Sequence, residues 1–315
     1  MKTKPPWTRE ELRQAYFRER NELDLALQKL PGFSFFQKLE ELEASYSIFV
    51  SATGDLLESI HRFRFLEQQG TLYDRHSRAI VQDSVTSVRR GIFSACSAAK
   101  AFVEHTGQIA GSLSNYHEEK SRFVQSELHE FIHGLRNYSV HCAIAVADWR
   151  VHRDFEKQEK QVSFLISKKQ LLRYKSWHPL AKQLIDKADE SLDIEAVFVE
   201  YAKKVADFHR WLRHRIIVSG GDEYQQYLSY KNAIAGFSTY SSISLILSGL
   251  TPEAKANSEM YLDRFLTNEE ISVVLSLPAK SRERVDKIIS ILDLHEVCDE
   301  RLRAKLYELF NVKDV

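Results

Sequence analysis

"HEFIHGLRNYSVH", residues 129–141, decides how the chain is read, because it overlays two motifs that call for different chemistries. His129-Glu130-Phe131-Ile132-His133 has the H-E-x-x-H spacing of zinc sites. Arg136-Asn137-Tyr138-Ser139-Val140-His141 has R-N-x-x-x-H spacing, which pairs a permanent cation with a group that titrates near neutrality. Phe123, Leu128, Phe131, Ile132 and Leu135 recur at helical spacing and predict the buried side of one amphipathic helix, which the quoted stretch closes.

Working outward, the chain reads as helix after helix. Thr8 and Glu11 in "TREE" form a capping box, and the helix they open is expected to stop at Pro31-Gly32. Apolar positions 35, 39, 42, 46, 49, 53, 56, 60 and 63 alternate in steps of four and three, which predicts one long bundle helix. After a Gly-Thr-Leu-Tyr-Asp loop, positions 81, 85, 88, 92, 95, 99 and 102 predict a second long helix, broken by Gly107 and Gly111. Asn115 with Glu118 is expected to cap the helix that follows. Past His141 the texture changes. "CAIAVADWRVHR" and "KQVSFLISKK" are short, partly alternating and β-like, with the charged "DFEKQEK" as a hairpin turn between them. "QLLRYKSWHPLAKQLIDKA" returns to helix, with Pro179 near its start. Asp193 then caps a helix whose stripe is Ile194, Val197, Tyr201, Val205, Phe208, Trp211 and Leu212. Gly220-Gly221 marks a boundary. Short helices are expected beyond it, one of them capped by Thr267-Asn268-Glu269-Glu270. The expected fold class is mainly α: a helical bundle over residues 1–220 with an inserted β-hairpin, and a smaller helical region over 221–315.

Composition sets broad limits. Lys+Arg and Asp+Glu are both 44, so net charge gives no preference for nucleic acid, and any basic surface must come from local clustering. Such clusters stand at "RRGIF", "HRWLRHR" and "SRERVDK", the second interleaved with an aromatic. Three cysteines without C-x-x-C spacing make neither a disulfide framework nor a thiolate metal site. The N-terminal "MKTKPPWTREEL" is charged where a signal peptide is apolar, and the apolar run at "SSISLILSGL" falls short of a membrane span. A cytoplasmic protein with no membrane partner is expected. G-x-x-x-x-G-K-[ST], G-x-G-x-x-G and G-x-S-x-G are absent, so neither a P-loop nor a serine hydrolase is supported.

The zinc motif has correct local spacing, since residues at i and i+4 share a helix face and Glu130 stands where a general base would. It lacks its surroundings. Arg136 and Ser139 occupy the places where the extended pattern has Gly and a third His. Glu156 and Glu159 lie in the charged turn, and Glu127 puts a charge just upstream. His129 and His133 as ordinary histidines of a bundle helix is the simpler reading, and a zinc hydrolase using His129, Glu130 and His133 ranks third.

R-x4-H alone is common by chance in a chain with 12 His. Requiring Asn directly after Arg lowers the chance expectation to about 0.02. With that composite, "LRNYSVH" resembles the motif of the HEPN superfamily, helical-bundle proteins that carry R-x4–6-H with a polar residue after the Arg. The neighbourhood is similar to a group of bacterial HEPN-like proteins in its "LRNY…H" helix end, short hairpin, "SKKQLL" at 167–172 and "FHRW" at 208–211. The resemblance covers residues 80–215 or so, and the hairpin departs from a minimal HEPN bundle.

The resemblance implies a metal-independent endoribonuclease that needs no cofactor, dimerises so that two motifs face one cleft, and works in a toxin or phage-defence setting with a separate antitoxin or regulatory protein. It implies His141 as acid and base, Arg136 as phosphate clamp and Asn137 as a polar orienter, with His133, Tyr138 and Glu130 around the cleft. The chemistry is consistent with the residue types, since His transfers protons near neutrality and Arg forks onto phosphate oxygens. Five positions on an ideal helix span about 140°. Arg136 and His141 therefore converge only if the helix loosens near Tyr138–Val140, or across a dimer. The alternative function is a non-catalytic helical interaction or dimerisation module. There Arg136 pairs with an acid such as Glu130, Asn137 caps the helix and His141 sits in the core.

Overall fold

The computed structural model describes residues 5–141, 147–154, 159–249, 258–292, 298 and 300–312. Among these residues the chain is mainly α, with a three-stranded antiparallel sheet in the order β1-β2-β3. It divides into two compact units, residues 34–221 and residues 1–33 with 222–315. The second boundary falls at the expected diglycine. The first thirty-three residues, expected with the bundle, group instead with the C-terminal region. The reason is visible in their packing: the Trp7 N–H donates to the Tyr230 hydroxyl at 3.1 Å, and Tyr16 packs on Phe237.

In the unit of residues 34–221, the predicted seam is the buried side of α3 (Pro31–Gln68). Leu39, Leu42, Phe49, Thr53, Leu56, Ile60 and Phe63 are all buried. The second seam buries α4 (Arg78–Ala110) through Val85, Val88, Ile92, Ala95, Ala99 and Phe102. Gly107 does not break this helix, which ends at Gly111. Asn115 carries no side-chain cap for α5 (Tyr116–Val124); its φ of 64° supplies the left-handed turn instead, a conformation Asn tolerates better than most residues. Then comes α6 (Glu127–His141), the helix of the quoted stretch.

The hairpin pairs β1 (Asp148–Asp154) with β2 (Glu159–Ser167), and Trp149 lies opposite Phe164. Residues 155–158 of the expected turn, Glu156 among them, lie outside the described residues. A third strand, β3 (Ser191–Asp193), adds to β2 and was not anticipated, since three residues are too few to show a period. Arg64 of α3 ties the sheet down: its Nε donates to the Val162 carbonyl at 2.9 Å and its guanidinium pairs with Glu195. The helix expected over 170–188 is two pieces, α7 (Lys168–Leu171) and α8 (Pro179–Lys187). Between them Trp177 turns inward and donates its Nε1–H to the Leu171 carbonyl at 2.7 Å. Asp193 caps α9 (Ile194–Gly249) as predicted, accepting from the Ala196 N–H at 3.2 Å. Every residue of the predicted stripe is buried except Trp211, which is half-buried.

Gly221 interrupts α9 with φ 46° and ψ −138°, a conformation open to glycine and strained for residues with a Cβ. In the unit of residues 1–33 and 222–315, the segment after Gly221 is a long helix, not the expected short one. Tyr224, Tyr227, Tyr230, Ile234 and Phe237 bury one continuous stripe, and no proline interrupts it before residue 249. The N-terminal segment is two helices, α1 (Arg9–Arg18) and α2 (Arg20–Gln28), divided at Glu19, whose φ of −137° is not helical. The Thr8–Glu11 and Thr267–Glu270 capping boxes both form. The latter opens α10 (Asn268–Leu275), which is followed by α11 (Arg282–Ile291) and α12 (Glu300–Leu309). Arg284 is buried there, bonded to the Leu275 and Leu277 carbonyls and to Glu259. No helix among the described residues is long and apolar enough to cross a membrane.

Candidate functional site

The candidate residues stand on α6, which packs against α4 on one side and α8 on the other. Phe131, Ile132, Leu135 and Tyr138 face the core and are buried. Gly134 is buried because the Trp177 ring lies where a Cβ would be: an added Cβ would come within 2.5 Å of Trp177 Cζ3. Trp177 also stacks on Phe131 at 5.6 Å and packs on Tyr138 and Tyr174. Tyr138, expected to line a cleft, is therefore part of this aromatic cluster.

The two halves of H-E-x-x-H have different environments. His129 is 7% exposed, and its Nδ1 lies 3.0 Å from the Tyr201 hydroxyl in a pocket walled by Phe123. Burial, with His133 and Lys120 adding positive charge, lowers its pKa to about 4, so it is a neutral core histidine at ordinary pH. The Tyr201 hydroxyl is pushed up by burial and stays protonated, able to hold this bond. His133 lies one turn on, half-buried, its ring nearly parallel to that of His129 with centroids 6.4 Å apart. Glu130 approaches His178 of the neighbouring segment at 3.8 Å. Among the described residues no three His, Cys, Asp or Glu side chains gather to hold a metal ion. Among the described residues, no third ligand of the kind a zinc site requires stands with His129 and His133.

Arg136 is half-buried, and its Nη1 donates to the Asn137 side-chain oxygen at 3.3 Å. Its Nε–H is buried without a hydrogen-bond partner. Among the described residues no carboxylate forms an ion pair with it, so the pairing with Glu130 weighed above is not what the side chain does. Asn137 is not a helix cap, since α6 continues to His141. Burial depresses the pKa of His133, Lys100 and Arg136 lower it further, and Glu130 and Glu104 oppose them. A small charged cluster thus forms where α4 meets α6: Lys100 and Glu104, 3.6 Å apart on α4, with Glu130, His133 and Arg136 on α6. Lys100 and Glu104 were missed in the sequence, because they sit on the flank of the α4 seam and nothing local links them to α6.

The helix does not loosen at Tyr138–Val140; it is α-helical through His141. The His141 side chain and Cys142 lie outside the described residues. Along one helix, Arg136 and His141 stand about 140° apart around the axis. The basic cluster "HRWLRHR" is largely engaged within the chain: Arg213 bonds Glu43, Arg215 bonds Ser114, Arg210 pairs with Asp207, and His209 lies 3.2 Å from Glu43. Comparison with protein-family models, with curated proteins and with solved structures finds no match.

Proposed function

We propose that the chain is a HEPN-like, metal-independent endoribonuclease. The observation that carries this reading is Arg136: a half-buried guanidinium held by Asn137, with a buried Nε–H lacking a partner and no carboxylate paired to it among the described residues. A half-buried cation left in that state favours an anion from outside, and the planar fork of Arg suits phosphate oxygens.

In this reading the ribose 2′-oxygen attacks the adjacent phosphorus and the bond to the 5′-oxygen breaks, leaving a 2′,3′-cyclic phosphate and a 5′-hydroxyl. His141 takes the proton of the 2′-hydroxyl and a protonated histidine delivers one to the leaving 5′-oxygen. Arg136 neutralises the phosphorane oxygens, and Asn137 fixes the guanidinium. Lys100 adds positive potential to the same cluster. The angular separation of Arg136 and His141 on an unbroken helix favours a homodimer in which one copy's Arg faces the other's His. RNA is the substrate, with a toxin or phage-defence setting and a separate antitoxin or regulatory protein as further parts of the proposal.

The test is incubation of purified protein with RNA in EDTA. Cleavage that survives EDTA, leaves cyclic-phosphate ends and drops at least 100-fold in both Arg136→Ala and His141→Ala is the expected result. Folded protein that leaves RNA intact would point to the non-catalytic interaction module. Stoichiometric zinc lost in His133→Ala would point to the metallohydrolase.

A further inference from the structure

Where α4 packs on α6, the open edge of α4 carries an aromatic ring between cations. The two sides of α4 are told apart by their partners. A Cβ on Gly91 would meet Leu56 of α3 at 3.0 Å, and the His105 Nδ1 lies 3.1 Å from the Ser45 hydroxyl of α3, so these positions mark the α3 side. Lys100 stands with His133 on the α6 side, and Arg89 reaches Asp148, seven residues beyond the end of α6. The two helices therefore run antiparallel. Phe93 lies four positions after Arg89 and seven before Lys100, which sets all three in one row along the α6 side. In the same register Phe93 comes level with Val140, seven positions after His133. Both are exposed, Phe93 at 42% and Val140 at 45%, and Val140 stands one turn after Arg136. The arginines of this seam are weakly engaged. Arg89, like Arg136, buries an Nε–H that has no hydrogen-bond partner, and its Nη2 lies 3.6 Å from the Asp148 carboxylate, which is 72% exposed.

We infer that single-stranded RNA lies along this seam, with one base stacked on Phe93 and the flanking phosphates on Arg89 at one end and on Lys100 and Arg136 at the other. An exposed ring between cations is the combination that holds single strands without sequence preference. Arg89 and Lys100 are eleven positions apart on one helix, about 16 Å of rise, a span that a few nucleotides cover. An acidic peptide would engage the cations and leave the ring unused. A second copy laid on Phe93 about a two-fold axis would set the cations of one copy against those of the other, a contact that itself calls for an anion between them. The occupant rests on the ribonuclease reading, and binding is tested apart from cleavage for that reason.

The full-length His141→Ala variant would be titrated with fluorescent oligouridylate by anisotropy over a salt series, with polyglutamate as competitor. Adding Phe93→Ala is expected to weaken binding at least fivefold without changing the salt slope; Phe93→Trp should restore affinity and Phe93→Leu should not. Adding Arg89→Ala is expected to flatten the slope by about 0.7, one phosphate contact on a single strand, and Arg89→Lys to keep it. Circular dichroism and light scattering of each variant separate lost binding from lost fold or altered assembly. No RNA binding, binding that ignores Phe93 and Arg89, or polyglutamate displacing RNA at equal charge concentration overturns the inference. So does a Phe93→Ala protein that loses its dimer and keeps its RNA affinity, which would assign the face to a second copy. Phe93-dependent binding by a wild-type protein that leaves RNA intact upholds the seam and rejects the ribonuclease. Cleavage by Phe93→Ala and Arg89→Ala proteins at the wild-type rate and KM does the reverse.

Discussion

At the scale of single residues, α6 shows how one helix turn separates a structural histidine from a functional candidate. His129 and His133 are four positions apart, yet one is closed inside an aromatic pocket on Tyr201 and the other borders the charged cluster with Arg136. The buried member has a consequence in solution. Its folded-state pKa is about 4, below the ordinary 6.5, so the unfolded chain binds the proton first as pH falls. Stability contributed by neutral His129 is complete above pH 6.5 and is lost as pH drops towards 4. The size is about 3 kcal/mol from this one group. His133, also shifted down by burial, adds in the same direction. Urea denaturation at pH 7 and pH 4.5 should show the loss in the wild type and a clearly smaller one in His129→Gln. Equal losses in the two proteins would remove His129 as the cause.

At the scale of elements, the contact between α6 and the turn before α8 depends on the missing side chain of Gly134. Two effects of Gly134→Ala oppose each other. Alanine gains about 1 kcal/mol of helix propensity. Its methyl meets Trp177, which cannot retreat without giving up the bond to the Leu171 carbonyl and the stack on Phe131. Overpacking of that kind costs about 1–3 kcal/mol. With Trp177 held on two sides the steric effect wins, and a net loss of up to about 2 kcal/mol is expected in urea unfolding. Trp177→Leu removes the ring atoms that clash, so the double variant should be more stable than the sum of the single changes predicts. Additive losses would mean that Gly134 and Trp177 are not coupled. The same aromatic cluster explains why Tyr138 packs inward: its position follows Leu135 and Ile132 round the buried face, and helical phase outweighs its polar hydroxyl.

At the scale of the whole molecule, the proposed chemistry requires two copies, because one uninterrupted helix sets Arg136 and His141 far apart in angle. Light scattering should give twice 36.6 kDa under the conditions of cleavage. A monomer that still cleaves RNA would discard the two-copy site. Much of the architecture was legible beforehand. The seams of α3 and α4, the two capping boxes, the hairpin and the break at the diglycine all follow from local periodicity, and periodicity is a property of neighbouring residues. The motif on α6 was legible as spacing. What spacing could not supply was environment. That His129 bonds Tyr201, seventy-two positions away, and that Arg136 has no carboxylate paired to it among the described residues while Glu130 turns to His178 are relations between segments far apart in the chain. The sequence by itself determined the mainly helical class, the helix seams and which residue types could do chemistry. Only the tertiary structure decided which of them are buried, which are paired and which remain available, because burial and pairing are set by the partners that folding brings together.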